Sequence, residues 1–182
     1  MKIVACNSNL PLAQAVADKI GIPLTNASIR RFADMEIFVE IHENIRGEDV
    51  FVIQSTSYPA NDHLMELLIM IQTLRLDSAA RITAVAPYLA YGRSDKKDQP
   101  RVPITARLVC DMIEVAGADR YITIEPHAGQ IQGFFSIPGD VLTAFHEIKE
   151  YMLTLRNQML NPVVVTVALG LAKKGRNFAA AL

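Results

Sequence analysis

Three short stretches of the chain gather side chains that can do chemistry. Residues 90–105, AYGRSDKKDQPRVPIT, set Arg93, Lys96, Lys97 and Arg101 among Asp95 and Asp98, with Gly92 and two prolines. Cations packed this closely can gather phosphates and neutralise charge as a phosphoryl group moves. A long mixed-charge loop is also what a solvated surface segment looks like, and composition leaves both readings open. His127 stands in IEPHAGQIQGFF beside Glu125. An imidazole there can bind a metal or contact phosphate, or be an ordinary packed or surface histidine. In RRFADME, residues 30–36, Phe32 can stack on a base while Asp34 and Glu36 accept hydrogen bonds. The plainer alternative is a strand edge with one buried phenylalanine. His42, His63 and His146 fall in helical or polar surface contexts and receive no role.

The elements around these stretches decide whether they can meet. Lys2–Cys6 reads as a strand, and Leu10–Ile20 as a helix with Leu10, Ala13, Val16, Ala17 and Ile20 on one face. Val50–Gln54 is short and β-branched, as a buried parallel strand should be. Asn61 or Asp62 then caps a helix carrying Leu64, Leu67, Leu68, Ile71 and Leu74 at helical spacing. Further along come strand Arg81–Ala86, helix Ile104–Ala116 closed by Gly117, strand Tyr121–Ile124, helix Val141–Leu155 and strand Pro162–Val167. This alternation predicts an α/β fold with a mostly parallel sheet and helices on both faces. Ligands of such sheets bind beyond the carboxyl ends of the strands. The segments to inspect are therefore Arg30–Glu36, Ser55–Asp62, Tyr88–Pro103 and Glu125–Phe135.

Composition narrows the function classes. Of 182 residues, 51% are apolar and 20% charged, which calls for a globular core. A net charge of -1 gives no electrostatic support to a nucleic-acid or anionic-membrane partner. No segment offers the ~18 uninterrupted apolar residues of a membrane helix, and the first residues carry too short an apolar run for a signal peptide. Cys6 and Cys110 lack metal-ligand spacing and read as reduced core cysteines of a cytoplasmic protein. The GxxxxGK[ST] loop, the GxGxxG turn after the first strand and the protein-kinase lysine–glutamate set are all missing. The polar RNQ near Leu155–Asn161 marks a boundary, with one strand and the helix Leu171–Leu182 after it. Two elements cannot close a core, so either the chain is a fragment whose second domain is missing, which is the expectation, or the tail packs onto the first domain or a partner.

Taken in order, these segments resemble the ribose-phosphate diphosphokinase (phosphoribosyl pyrophosphate synthase) family. The resemblance rests on NSNLPLAQAVADKIG, RRFADMEIFVEIHENIRGEDVFVIQST, NDHLMELLIMIQTLR, ARITAVAPYLAYGRSDKK, RVPITARLVCDMIEVAGADR and HAGQIQGFFSIP. It implies a phosphoribosyltransferase-like three-layer fold doubled into two domains, the first over residues 1–155 and an incomplete second over 156–182. It also implies ATP bound with Mg2+, and transfer of its diphosphoryl group to the C1 hydroxyl of ribose 5-phosphate, giving phosphoribosyl pyrophosphate and AMP. By the same resemblance Phe32, Asp34 and Glu36 match an adenine-contacting segment supplied by a neighbouring subunit of a homo-oligomer, a dimer that builds a hexamer. Arg93, Ser94, Asp95 and Lys97 match the ATP-handling loop, His127 a magnesium-associated histidine, and Gln132 and Asp140 a regulatory nucleotide site.

The departures from the family pattern are specific. Ser94 stands where the family has glutamine, Met35 where it has glycine, and Ala168 where it has a metal-associated aspartate; Leu171 replaces a second glycine. The family's catalytic lysine and arginine and its ribose-phosphate loop lie beyond Leu182, so the resemblance assigns no catalytic residue here. An alternative is a non-catalytic or truncated homologue that acts as a nucleotide-binding or regulatory subunit. The expectation for the chain alone is weak or no nucleotide binding, no turnover, and self-association through apolar surface at Val163–Val165 and Leu171–Leu182.

Overall fold

The computed structural model describes residues 1–167 and 169–182, so Ala168 lies outside the described residues. The chain divides into two compact units, Met1–Leu142 and Thr143–Leu182. In the first unit β1 (Lys2–Ala5), β4 (Asp49–Ile53), β5 (Arg81–Ala86), β6 (Arg120–Ile124) and β7 (Gly139–Leu142) form one sheet in the order β1-β4-β5-β6-β7. All four pairings are parallel. A separate antiparallel hairpin joins β2 (Ala27–Arg31) to β3 (Ile37–Ile41).

Strand alternation sorts the side chains into two layers. Val4, Val50, Val52, Ile82 and Ala84 point to the larger core, shared with α2 (Ala60–Leu76) and α3 (Thr105–Ala116). Ile3 and Ile53 point the other way and meet Ala13 and Ala17 of α1 (Leu10–Ile20). The result is the expected α/β arrangement in three layers. Each fully buried Ile, Leu or Val contributes roughly 1.5–3 kcal/mol relative to exposure, so the α2–α3 side dominates stability. Asn9 caps α1 by accepting from the Leu12 amide at 3.0 Å, and Gly21 closes it in the left-handed region.

Several elements differ from the sequence expectation. The predicted helix from Val141 begins only at Phe145, because residues 139–142 are strand β7 beside β6. Gly139 makes this pairing possible: a Cβ there would lie 2.1 Å from the Tyr121 ring, which stacks on Phe135. Asn61 and Asp62 do not cap α2. It starts at Ala60 after a cis Tyr58–Pro59 bond, and Pro59 at its N-cap makes no side-chain bond. The hairpin was legible only as a possible strand edge at residues 30–36.

The second unit holds α4 (Phe145–Leu155) and α5 (Ala172–Ala181), with Phe145 and Phe178 in edge-to-face contact at 5.5 Å. None of its described helical residues is buried. The predicted strand Pro162–Val167 is not a strand: Val163 and Val165 are each 81% exposed. β-Branched residues favour a strand where a neighbouring strand takes up their backbone groups, and no ladder forms here among the described residues.

Candidate functional site

The basic loop leaves the end of β5 and runs from Pro87 to Ile104 as a series of turns. Its entry is clamped by Thr56, a fully buried residue just after β4. The Thr56 hydroxyl donates to the Tyr88 carbonyl at 2.9 Å and accepts from the Ala90 amide at 2.7 Å. Leu89 and Ala90 are buried, which turns Arg93, Lys96 and Lys97 outward. These three cations make no ion pair among the described residues, so their charge is available to a ligand. Ser94 is half-buried; its amide donates to the Tyr91 carbonyl, and its carbonyl accepts from Ala106 at the start of α3.

The loop after β6, on the neighbouring strand, carries His127 to the same place. A Cβ on Gly92 would lie 3.2 Å from the His127 Cβ and 3.4 Å from Ile131, so glycine lets the two loops pack this closely. Between them lies a cleft of about 160 Å3 lined by Tyr88, Gly92, Arg93, Glu125 and His127. Sites for drug-sized ligands measure roughly 300–1,000 Å3, so this cleft suits a phosphate-sized part of a ligand. Tyr91 and Glu125, on either side, both hold positive φ, 61° and 45°. Such strain is kept where the surroundings enforce it, often at sites.

The larger concavities of the first unit, one beneath α1 and the sheet and one between α2 and α3, are almost wholly apolar. They offer an anion few or no donors.

The hairpin tip is the third predicted stretch. Phe32, Asp34 and Glu36 are all exposed there, with Phe32 edge-on to Phe38 at 5.6 Å and Arg30 over the Phe38 ring at 4.3 Å. Asp34 is used locally, accepting from the Glu36 amide at 3.2 Å. Met35 holds φ 73°, a conformation glycine adopts freely and methionine resists. No hydrogen bond or ion pair joins Phe32, Asp34 or Glu36 to Arg93, Lys97 or His127 among the described residues. The connection is indirect, through the first turn of α2. Asp62 pairs with Arg31 of the hairpin at 3.0 Å, and Asn61 accepts from the Tyr91 hydroxyl of the basic loop. The two residues that looked like caps in the sequence are thus links between hairpin and loop.

Gln132 is exposed on the short 3-10 helix Gly129–Phe134, and Asp140 on β7 pairs with Arg120 at 2.9 Å. Asp95, by contrast, is buried and accepts from the side-chain amide of Gln130.

Sequence reading missed a buried polar cluster that ties the chain's first loop to the end of β4. Glu66, 3% exposed, accepts from the Asn7 amide at 2.6 Å and from Gln54 at 2.9 Å. Gln54 in turn accepts from the Ser8 amide at 3.0 Å, and the Ser8 hydroxyl accepts from Ser55 at 2.8 Å. The available signal was an acidic residue inside the apolar stripe of α2.

No three His, Cys, Asp or Glu side chains among the described residues are grouped to hold a metal ion. His127 and its neighbours therefore do not form a metal cage by themselves. Magnesium usually keeps waters and phosphate oxygens, with only one or two protein ligands. Neither cysteine is a nucleophile: burial, then Glu66, pushes the Cys6 thiol well up, and burial pushes Cys110 up to about 12. Both are free, as expected. No described helix is long and apolar enough to cross a membrane.

Known proteins resemble this chain over most of its length. The chain is 68% identical over 144 residues to a ribose-phosphate pyrophosphokinase of Granulibacter bethesdensis, covering 79% of this chain and 46% of that protein. It is 57% identical over 180 residues to one from Brucella melitensis, covering 96% and 58%. The chain thus spans about half the length of the curated relatives it matches. The crystal structure of phosphoribosylpyrophosphate synthetase from Mycobacterium smegmatis superposes with a TM-score of 0.93 at 40% identity, over 99% of this chain and 60% of that one. Residues 1–117 match the model for the N-terminal domain of ribose phosphate pyrophosphokinase, and on that match the chain belongs to the ribose-phosphate pyrophosphokinase family.

Proposed function

We propose that this chain supplies the nucleotide-facing half of a ribose-phosphate diphosphokinase. The reaction is transfer of the ATP diphosphoryl group to the C1 hydroxyl of ribose 5-phosphate, leaving AMP. The observation that carries this reading is the close packing of the basic loop on the His127 loop at the carboxyl ends of adjacent parallel strands. Cations that make no ion pair among the described residues, at that point, match what a polyphosphate needs. Arg93 and Lys97 neutralise the phosphates, Ser94 offers a hydroxyl where a glutamine side chain would reach further, and His127 faces the phosphates from the other loop. Magnesium, as the counter-ion of the triphosphate, stabilises the charge that moves in the transfer. Gln132 and Asp140 belong, in this reading, to a regulatory nucleotide site.

Phe32, Asp34 and Glu36 serve the adenine of a neighbouring copy; the exposure of the tip, and the lack among the described residues of a bond to its own chain's basic loop, support this. In this reading the protein works as a homo-oligomer. Two free buried cysteines suit a reducing cytoplasmic compartment.

Calorimetry with ATP and magnesium, followed by an assay for AMP after adding ribose 5-phosphate, tests the proposal. Weak but saturable binding is expected, reduced about tenfold by Arg93→Ala as one charged contact is lost. Binding without AMP would identify a nucleotide-binding subunit rather than a catalyst. No binding at millimolar ATP would remove the half-site altogether.

A further inference from the structure

Asp95 is the one charged residue of the run Arg93–Asp98 that the fold buries; Arg93, Lys96, Lys97 and Asp98 are exposed. A carboxylate loses its hydration on burial, at a cost unless polar groups replace the water. Its partner comes from the next strand's loop: the side-chain amide of Gln130, 35 residues away. Gln130 sits in the 3-10 helix three residues after His127, and the adjoining Ile131 anchors that helix, being 1% exposed in the main core.

The two loops therefore touch at two points. One is Gly92 against His127 and Ile131, and the other, three residues beyond Gly92 and His127, is Asp95–Gln130. A single contact sets a distance; two also set an orientation. The bond has an electrostatic consequence as well. Asp95 is the carboxylate nearest in sequence to Arg93 and Lys96, yet it pairs with neither. With its charge turned inward to an amide, the outward cations stay unneutralised.

We propose that Asp95 and Gln130 are positioning residues, locking the basic loop to the His127 loop and keeping Asp95 away from the cations. Asp95 acts through Gln130 and not as a ligand of the nucleotide. This rests on the nucleotide half-site proposed above.

The test compares the 182-residue chain with Asp95→Ala, Asp95→Asn, Gln130→Leu and the Asp95→Ala/Gln130→Leu double variant. Hydrogen exchange is read without nucleotide, and calorimetry with ATP and magnesium. Gln130→Leu and Asp95→Ala should each speed exchange of amides at 88–98 and 127–134. Each should weaken nucleotide binding about tenfold, and the double variant no further, since one shared bond is lost. Asp95→Asn keeps an oxygen for Gln130 and should recover most of what Asp95→Ala loses. If Asp95→Asn binds as poorly as Asp95→Ala while Gln130→Leu binds normally, Asp95 is a direct ligand and the proposal is overturned. A wild-type chain that binds no nucleotide would sink the half-site. The exchange data would then decide alone, and unchanged exchange at 88–98 in Gln130→Leu refutes the lock. Should Gln130→Leu not fold, Gln130→Met and the Asp95 pair carry the same comparison.

Discussion

The two units of this chain have similar raw material and opposite outcomes. In Met1–Leu142, apolar residues disappear into layers on both sides of a parallel sheet, with Val4, Leu67, Ile71 and Ile82 at 2% exposure or less. In Thr143–Leu182, Leu160, Val167 and Leu169 are each at least 95% exposed, although the segment is as rich in Leu and Val. The difference lies in what each apolar residue has to pack against. A β-branched run next to existing strands becomes part of a sheet, whereas the same run without a ladder remains extended and wet. The candidate site follows the same division, because every loop that builds it is anchored in the layered unit.

The largest effects should come from substitutions that test this contrast directly. Leu67→Ala removes a fully buried side chain from the α2 face and should cost ~2–5 kcal/mol in urea unfolding. Leu160→Ala, at 97% exposure, should change stability by less than ~0.5 kcal/mol. A cost for Leu160→Ala comparable with that for Leu67→Ala would mean that the second unit is packed in solution, and the contrast would collapse.

The layered unit was also the more legible one. Helix Leu10–Ile20 coincides with its sequence periodicity, and the strands at 50–54, 81–86 and 121–124 were readable as β-branched runs between turn residues. β7 was not, because GDVL has little strand propensity and is admitted by the fit of Gly139 beneath Tyr121. The contacts that organise the site were illegible for another reason. Asp95 with Gln130, Tyr91 with Asn61 and Thr56 with Tyr88 are 30 to 35 residues apart, so no local spacing announces them. Sequence could name Arg93, Asp95 and His127 as candidates, but not the contacts of Thr56, Asn61 and Gln130 that hold their loops in place.

Within the first unit the hairpin tip, residues 31–36, is exposed throughout, and Met35 lets its strain be measured. A non-glycine residue in the left-handed region pays about 1–2 kcal/mol, while a new glycine gives back roughly 0.4–1 kcal/mol through the unfolded chain. Met35→Gly at φ 73° should therefore shift global stability by no more than about 1 kcal/mol, towards greater stability. Its clearer signature is slower exchange of the Phe32 amide, which donates to Glu36 across the tip at 2.9 Å. Faster exchange there would show that the strain at Met35 is not what loosens the tip.

The smallest expected effect is the acid sensitivity of the layered unit. The hydrogen bond from Arg81 holds the Asp49 carboxyl below its ordinary range, and that from Lys2, with the Asn26 amide, does the same for Glu43. A carboxyl whose folded pKa is depressed binds its proton more tightly in the unfolded chain. Its stabilisation is thus fully present above the unfolded value, and is lost as pH falls through the folded one. Both pairs are partly exposed, so screening keeps their contribution small. The urea midpoint should decline as pH drops from ~5 towards ~2, the span around ordinary carboxylate values, and less steeply in an Asp49→Asn/Glu43→Gln variant. These carboxylates join β1 to the segment after β3, and β4 to β5, all inside Met1–Leu142. An acid transition that is unchanged in the double variant would place the responsible groups elsewhere, with the carboxylates of the second unit the next to substitute.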